Sequence, residues 1–107
     1  MEENRLDSRT EIIAEVANAH QGNPKLAKKL AHQSLENGAD AIKFQIYFAD
    51  ELLSNKHPRF KHFKNQSFSE KIWVNLLSKF KNYKKKIYCD VFGEKAFYIA
   101  KSCNVDG

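Results

Sequence analysis

The first apolar cluster, residues 11–16 (Glu-Ile-Ile-Ala-Glu-Val), reads as a strand buried over most of its length. A polar loop, 17–23, follows. Asn23 is a good N-cap and Pro24 a good first helical residue. Leu26, Ala27, Leu30, Ala31, Ser34 and Leu35 then repeat with helical spacing, which predicts a helix over 24–37. Gly38 stands where a left-handed C-terminal cap is needed, and a second apolar run begins at once, at Asp40 or Ala41. Strand, helix and strand in this order make a βαβ unit.

Residues 47–67 are long and irregular in pattern, with a short helical turn predicted over 49–53. A long loop after a strand is either an active-site loop or a surface loop. A second helix opens at Ser67 or Ser69, since Ser67 and Glu70 have capping-box spacing. Its stripe is Ile72, Trp73, Leu76, Leu77 and Phe80, and it ends in a lysine-rich run suited to a helix C-terminus. A third strand is predicted over 87–92 and a third helix over 94–102, with Ala96, Phe97, Ala100 and Cys103 on one side. Residues 104–107 (Asn-Val-Asp-Gly) repeat the character of 37–40 (Asn-Gly-Ala-Asp) and read as the lead into a fourth strand.

The order βαβαβα predicts an α/β fold with parallel strands. A complete (β/α)8 barrel needs about 250 residues, so 107 residues correspond to its first three βα units, a partial TIM barrel. Residues 1–10 are expected to form a polar lead-in and 11–107 the barrel fragment.

Composition narrows the picture. No apolar run reaches the roughly 18 residues of a membrane span, and residues 1–10 lack the apolar centre of a secretory signal, so a cytoplasmic location is expected. Cys89 and Cys103 match no metal spacing and read as reduced core residues. The net charge of +5 is unevenly placed: residues 56–86 hold ten Lys or Arg and one acid, Glu70. Such a stretch is either a solvated helix face and loop or a polyanion-binding surface. Only Arg59 among these cations is an arginine and no nucleic-acid motif accompanies them, so nucleic acid is the less favoured partner.

The chemistry is expected on the second strand. Side chains alternate along a strand, so Ala41, Lys43 and Gln45 share one face while Ile42, Phe44 and Ile46 share the other. A lysine and an amide inside a buried strand cost free energy unless something binds them. In βα folds ligands bind at the C-terminal ends of strands. Glu15, Lys43, Gln45 and Asp90 all fall there, and Asn18 and His20 occupy the first loop. One lysine, an amide and carboxylates on adjacent strands make either a site for an anionic, polar ligand or a structural ion pair. His20 is either part of that site or a loop histidine with no role. No histidine pair has carboxylate support, so no metal site is expected within these residues.

Residues 12–22 (Ile-Ile-Ala-Glu-Val-Ala-Asn-Ala-His-Gln-Gly), 26–30 (Leu-Ala-Lys-Lys-Leu) and 37–45 (Asn-Gly-Ala-Asp-Ala-Ile-Lys-Phe-Gln) resemble the N-terminal part of the sialic acid synthase (N-acetylneuraminate synthase) family. Residues 49–53 and 90–92 resemble following segments of one branch, so the likeness runs over 11–107. Members commonly carry Gly and Asn where this chain has Ala17 and Ala19, although a branch with Ala-Asn-Ala-His is similar to this chain. The resemblance implies a (β/α)8 barrel followed by a small antifreeze-like domain. It implies a transferase of sialic acid biosynthesis, joining phosphoenolpyruvate to N-acetylmannosamine or a related amino sugar with a divalent metal, Mn²⁺ or Mg²⁺. By that resemblance Lys43 anchors phosphoenolpyruvate, Gln45 hydrogen-bonds the acylamino group of the sugar, and Glu15 handles a proton or water at the reacting centre. His20 and Asp90 count as further substrate contacts. The family's metal-binding histidines and C-terminal domain correspond to positions beyond 107. The chain is therefore expected to be inactive alone, to hold no metal tightly, and to self-associate through exposed barrel edges. Alternative readings are a small basic polyanion-binding module and another phosphoenolpyruvate-condensing barrel, such as a relative of the 3-deoxy-heptulosonate phosphate synthases.

Overall fold

The computed structural model describes residues 9–107, so most of the expected lead-in lies outside the described residues. Three parallel strands form one sheet in the order β1-β2-β3: β1 (Ile13–Glu15), β2 (Ala41–Tyr47) and β3 (Lys86–Phe92). Five helices connect or follow them: α1 (Pro24–Glu36), α2 (Ala49–Leu52), α3 (Phe60–Gln66), α4 (Glu70–Lys79) and α5 (Glu94–Ser102). Strands in sequence order, with no reversal, are the start of a singly wound sheet, as in a barrel.

Local chemistry accounts for the boundaries. The Asn23 side chain accepts from the N–H groups of Lys25 and Leu26, so the first turn of α1 is capped as expected. At the other end Gly38 takes φ +105°, its N–H donates to Leu35, and Ala39 donates to Ser34. That pair of bonds is a Schellman closure, which turns the chain directly into β2. Ser69, not Ser67, caps α4, accepting from Ile72 N–H. Glu51 of α2 reaches across to accept from Lys95 N–H at the start of α5. Gly93, at φ +138°, permits that approach, because a Cβ there would lie 2.6 Å from the Glu51 carboxylate.

One face of the sheet carries the core. Ile42, Phe44, Ile46 and Ile87 pack against Ala27, Ala31 and Leu35 of α1, Trp73, Leu76 and Leu77 of α4, and Ala96, Ile99 and Ala100 of α5. Phe44 is fully buried, with Trp73 edge-on at 5.9 Å and Phe80 at 6.2 Å. Burial of this kind is worth roughly 1.5–3 kcal/mol per large side chain, so this face supplies most of the stability.

Four expectations are corrected. The first strand covers only three residues, and Ile12 and Ile13 are 59% and 45% exposed, because β1 has a single neighbour and its outer edge is bare. The stretch 47–67 is not irregular throughout: α3 forms within it, without a side-chain cap or a buried residue to announce it. Phe97 points outward, 49% exposed, and Ile99 takes its place in the core. Burial reaches a Cβ position every three or four residues on α5, which selects 96, 99 and 100 rather than 97. Cys89 and Cys103 are free thiols packed against the core rather than within it. Burial, the nearby Cys103 and Asp90 push the Cys89 thiol up to about 12, so it is no nucleophile at neutral pH.

Residues 104–107 do begin to pair with β3. Asp106 N–H donates to Ile87 C=O while Ile87 N–H donates to the Asp106 carboxylate, and Cys89 N–H donates to Gly107 C=O. Asp40 makes the same reciprocal clip on Ile12, N–H to C=O at 2.9 Å and carboxylate from N–H at 2.8 Å. The similarity of 37–40 to 104–107 is thus a repeated device: an aspartate at a strand start locks it to the preceding parallel strand.

Candidate functional site

Register decides which polar side chains meet. Glu15 lies opposite Lys43, Lys43 opposite Tyr88, and Gln45 opposite Asp90. In a sheet, opposite residues project to the same face. That face is the one opposite the helix-packed core. Lys43 Nζ sits 3.7 Å from Glu15 Oε1 and 3.4 Å from Asp90 Oδ2, and Gln45 Nε2 donates to Glu15 Oε2 at 3.1 Å. One ammonium therefore bridges two carboxylates, and the amide holds one of them from the side. The three charged side chains remain 30–43% exposed. Ion pairs this open contribute little to stability, about 0–1 kcal/mol. They are accessible to a ligand.

Beyond Gln45 the same face becomes covered. Tyr47 is buried, its hydroxyl donates to Asn18 Oδ1 at 3.2 Å, and Phe63 of α3 packs edge-on at 5.8 Å. Burial raises the Tyr47 phenol above its ordinary range, and the bond to Asn18 partly offsets this. Tyr47 was not singled out in the sequence, although the alternation 41, 43, 45 leads to it. The first loop is tied to β2 through this bond.

Four of the five expected site residues, Glu15, Lys43, Gln45 and Asp90, are brought together. His20 is not part of that group of contacts. It is 1% exposed, stacks on Phe68 at 4.4 Å, and its Nδ1 accepts from Gly22 N–H at 3.0 Å. Burial lowers its pKa, so it stays neutral, and its Nε2 has no hydrogen-bond partner among the described residues. The loop around it is strained: Ala17 and Gln21 adopt φ +48° and +52°. The left-handed value at Ala17 is one that a glycine would adopt without the Cβ penalty.

The basic stretch disperses. Lys85 donates to Ala39 C=O, Lys81 to Asn104 C=O, Lys86 pairs with Glu11, and Arg59 lies over the Phe63 ring at 5.4 Å. These cations clamp strands and loops instead of forming one surface. Among the described residues no group of three or more His, Cys, Asp or Glu could hold a metal ion, and no helix is long and apolar enough to cross a membrane.

No family model matches the chain. It is 41% identical over 56 residues to N,N'-diacetyllegionaminic acid synthase of Legionella pneumophila, covering 52% of this chain and 16% of that protein. It is 29% identical over 98 residues to N,N'-diacetyllegionaminic acid synthase of Campylobacter jejuni, covering 91% of this chain and 27% of that one. The chain thus spans about a quarter or less of the length of these curated relatives. The fold matches a crystal structure of N-acetylneuraminic acid (sialic acid) synthetase from Leptospira borgpetersenii with a TM-score of 0.81, over 94% of this chain and 35% of that one. At 23% identity that likeness carries the fold alone, an arc of the barrel. Similarity in sequence to these synthases, together with a fold shared with one of them, supports a relationship to the sialic acid synthase family over part of its members' length.

Proposed function

We propose that the chain contributes the β1–β3 arc of a synthase site that condenses phosphoenolpyruvate with an amino sugar carrying acylamino groups. The observation that carries this reading is the Glu15–Lys43–Asp90 bridge with Gln45 alongside, set on the open part of the face opposite the core. Lys43 anchors the phosphoenolpyruvate anion, leaving its carboxylate partners as the ligand enters. Gln45, with a donor and an acceptor at its tip, reads the acylamino group of the sugar. Glu15 lies within reach of both and handles a proton or water as the new bond forms. Asp90 holds the lysine in place and accepts from sugar hydroxyls. The relatives' names favour a diacetamido sugar over N-acetylmannosamine.

The described residues do not fit the divalent metal that the resemblance implies, since they hold no set of three ligands. The roles assigned to them are therefore binding and proton handling, and no step is routed through a metal. An arc of three strands encloses no site, so the chain is expected to turn over little or nothing by itself. Ligand-observed NMR with phosphoenolpyruvate, an amino sugar and erythrose 4-phosphate tests the reading. Contact with the amino sugar and not with erythrose 4-phosphate supports it; the reverse points to a heptulosonate-type barrel. Clear turnover by the chain with phosphoenolpyruvate, amino sugar and Mn²⁺ would sink the claim of dependence on further parts of the barrel.

A further inference from the structure

On the opposite side of the molecule, a groove of about 500 Å³ runs between α1 and α4. Its rim carries Lys25, Lys28 and Lys79, with Asn75 between them and Ile72 and Leu76 as an apolar wall; no residue lining it is acidic. Two features make this arrangement electrostatically costly as it stands. Lys25 lies in the first turn of α1 and Lys28 in the next; that first turn has no acid, although the positive end of the helix dipole favours anions there. Lys79 lies close enough to Lys28 to hold that ammonium below its ordinary range. A doubly charged group seated between the two ammoniums would relieve both costs.

We propose that the groove between α1 and α4 binds a small phosphorylated anion through Lys25, Lys28 and Lys79. The volume is that of a small-molecule site, roughly 300–1,000 Å³, and three cations line this one concavity. A nucleic acid would need a continuous basic track, and the neighbouring cations Lys81, Lys85 and Lys86 are engaged in other contacts. Ile72 and Leu76 give the organic part of the ligand an apolar surface. This site is independent of the strand-end site.

Inorganic pyrophosphate, titrated into the isotope-labelled chain and followed by amide NMR, tests the proposal. Saturable shifts are expected at Lys25, Lys28, Asn75 and Lys79. The paired variant Lys28→Gln/Lys79→Gln should weaken binding by at least about tenfold, or 1.4 kcal/mol. Lys28→Arg/Lys79→Arg, which keeps the charge, should retain most of it and guards against a folding artefact. Lys56→Gln/Lys61→Gln removes the same charge away from the groove and should change the affinity less than about twofold, well under that energy. Equal weakening by both glutamine pairs, shifts centred on Lys43, or no saturation at all would each overturn the proposal. Duplex DNA binding that is insensitive to the Lys28/Lys79 pair would reassign the charge to diffuse polyanion attraction.

Discussion

The two faces of β2 are one residue apart in sequence and opposite in character. Ile42, Phe44 and Ile46 are wholly buried under α1, α4 and α5, while Lys43 and Gln45 stay half-exposed beside Glu15 and Asp90. The first face is held by non-directional apolar burial, which tolerates no loss of volume. The second is held by ion pairs too exposed to stabilise much, which are free to serve a ligand. If this division is right, substitutions on the two faces should fail in different ways. The covered face should lose stability; the open face should lose binding.

The largest effect is expected on the covered face. Phe44→Ala removes a ring packed on Trp73 and Phe80, and should cost about 3–5 kcal/mol in denaturant unfolding. A cost under about 1 kcal/mol would break the comparison at its stronger end. Next comes the clip at the start of β2. Asp40→Ala removes the acceptor for Ile12 N–H, which sits on the exposed edge, and should cost about 1 kcal/mol. Amide exchange at Ile12 and Ile13 should quicken while Phe44 stays protected, because the change loosens β1 alone.

Much of this was legible in the sequence because it is encoded locally. Asn23-Pro24 fixes the start of α1 and Gly38 its end; the alternation through 41–46 fixes the two faces of β2. The gathering of Glu15, Lys43, Gln45 and Asp90 followed from strand position, since parallel register aligns strand ends. What escaped depends on distant partners. α3 has no side-chain cap and buries nothing completely, and its signal is only the spacing of Phe60 and Phe63. The short, exposed β1 reflects a neighbour that the described sheet does not have on that side. The burial of His20 comes from Phe68, 48 positions later, which no local pattern announces.

Smaller effects sharpen the comparison further. Ala17 stands at φ +48° in the loop beside the open face, and Ala17→Gly should stabilise by up to about 1 kcal/mol, less the entropy glycine adds to the unfolded chain. A destabilised glycine variant would show that the left-handed conformation carries no strain. His20 gives the smallest expected effect, read through pH. Burial lowers its folded pKa below the unfolded value of 6.5. The unfolded chain therefore binds the extra proton first, so stability is complete above about pH 6.5 and falls as pH drops below it. Denaturation midpoints for the wild type and His20→Gln at pH 7.5 and 5.5 should converge on acidification. A gap that stays constant between the two pH values would place the imidazole in solvent.

The central claim is that the open face is a binding surface and not a structural ion-pair network. Calorimetric titration of phosphoenolpyruvate into the wild-type chain and into Lys43→Met, with unfolding free energies measured on the same samples, separates the two. The variant should lose no more than about 1 kcal/mol of stability and should bind at least about tenfold more weakly. Unchanged binding in a strongly destabilised variant, or no binding by the wild type, would contradict it.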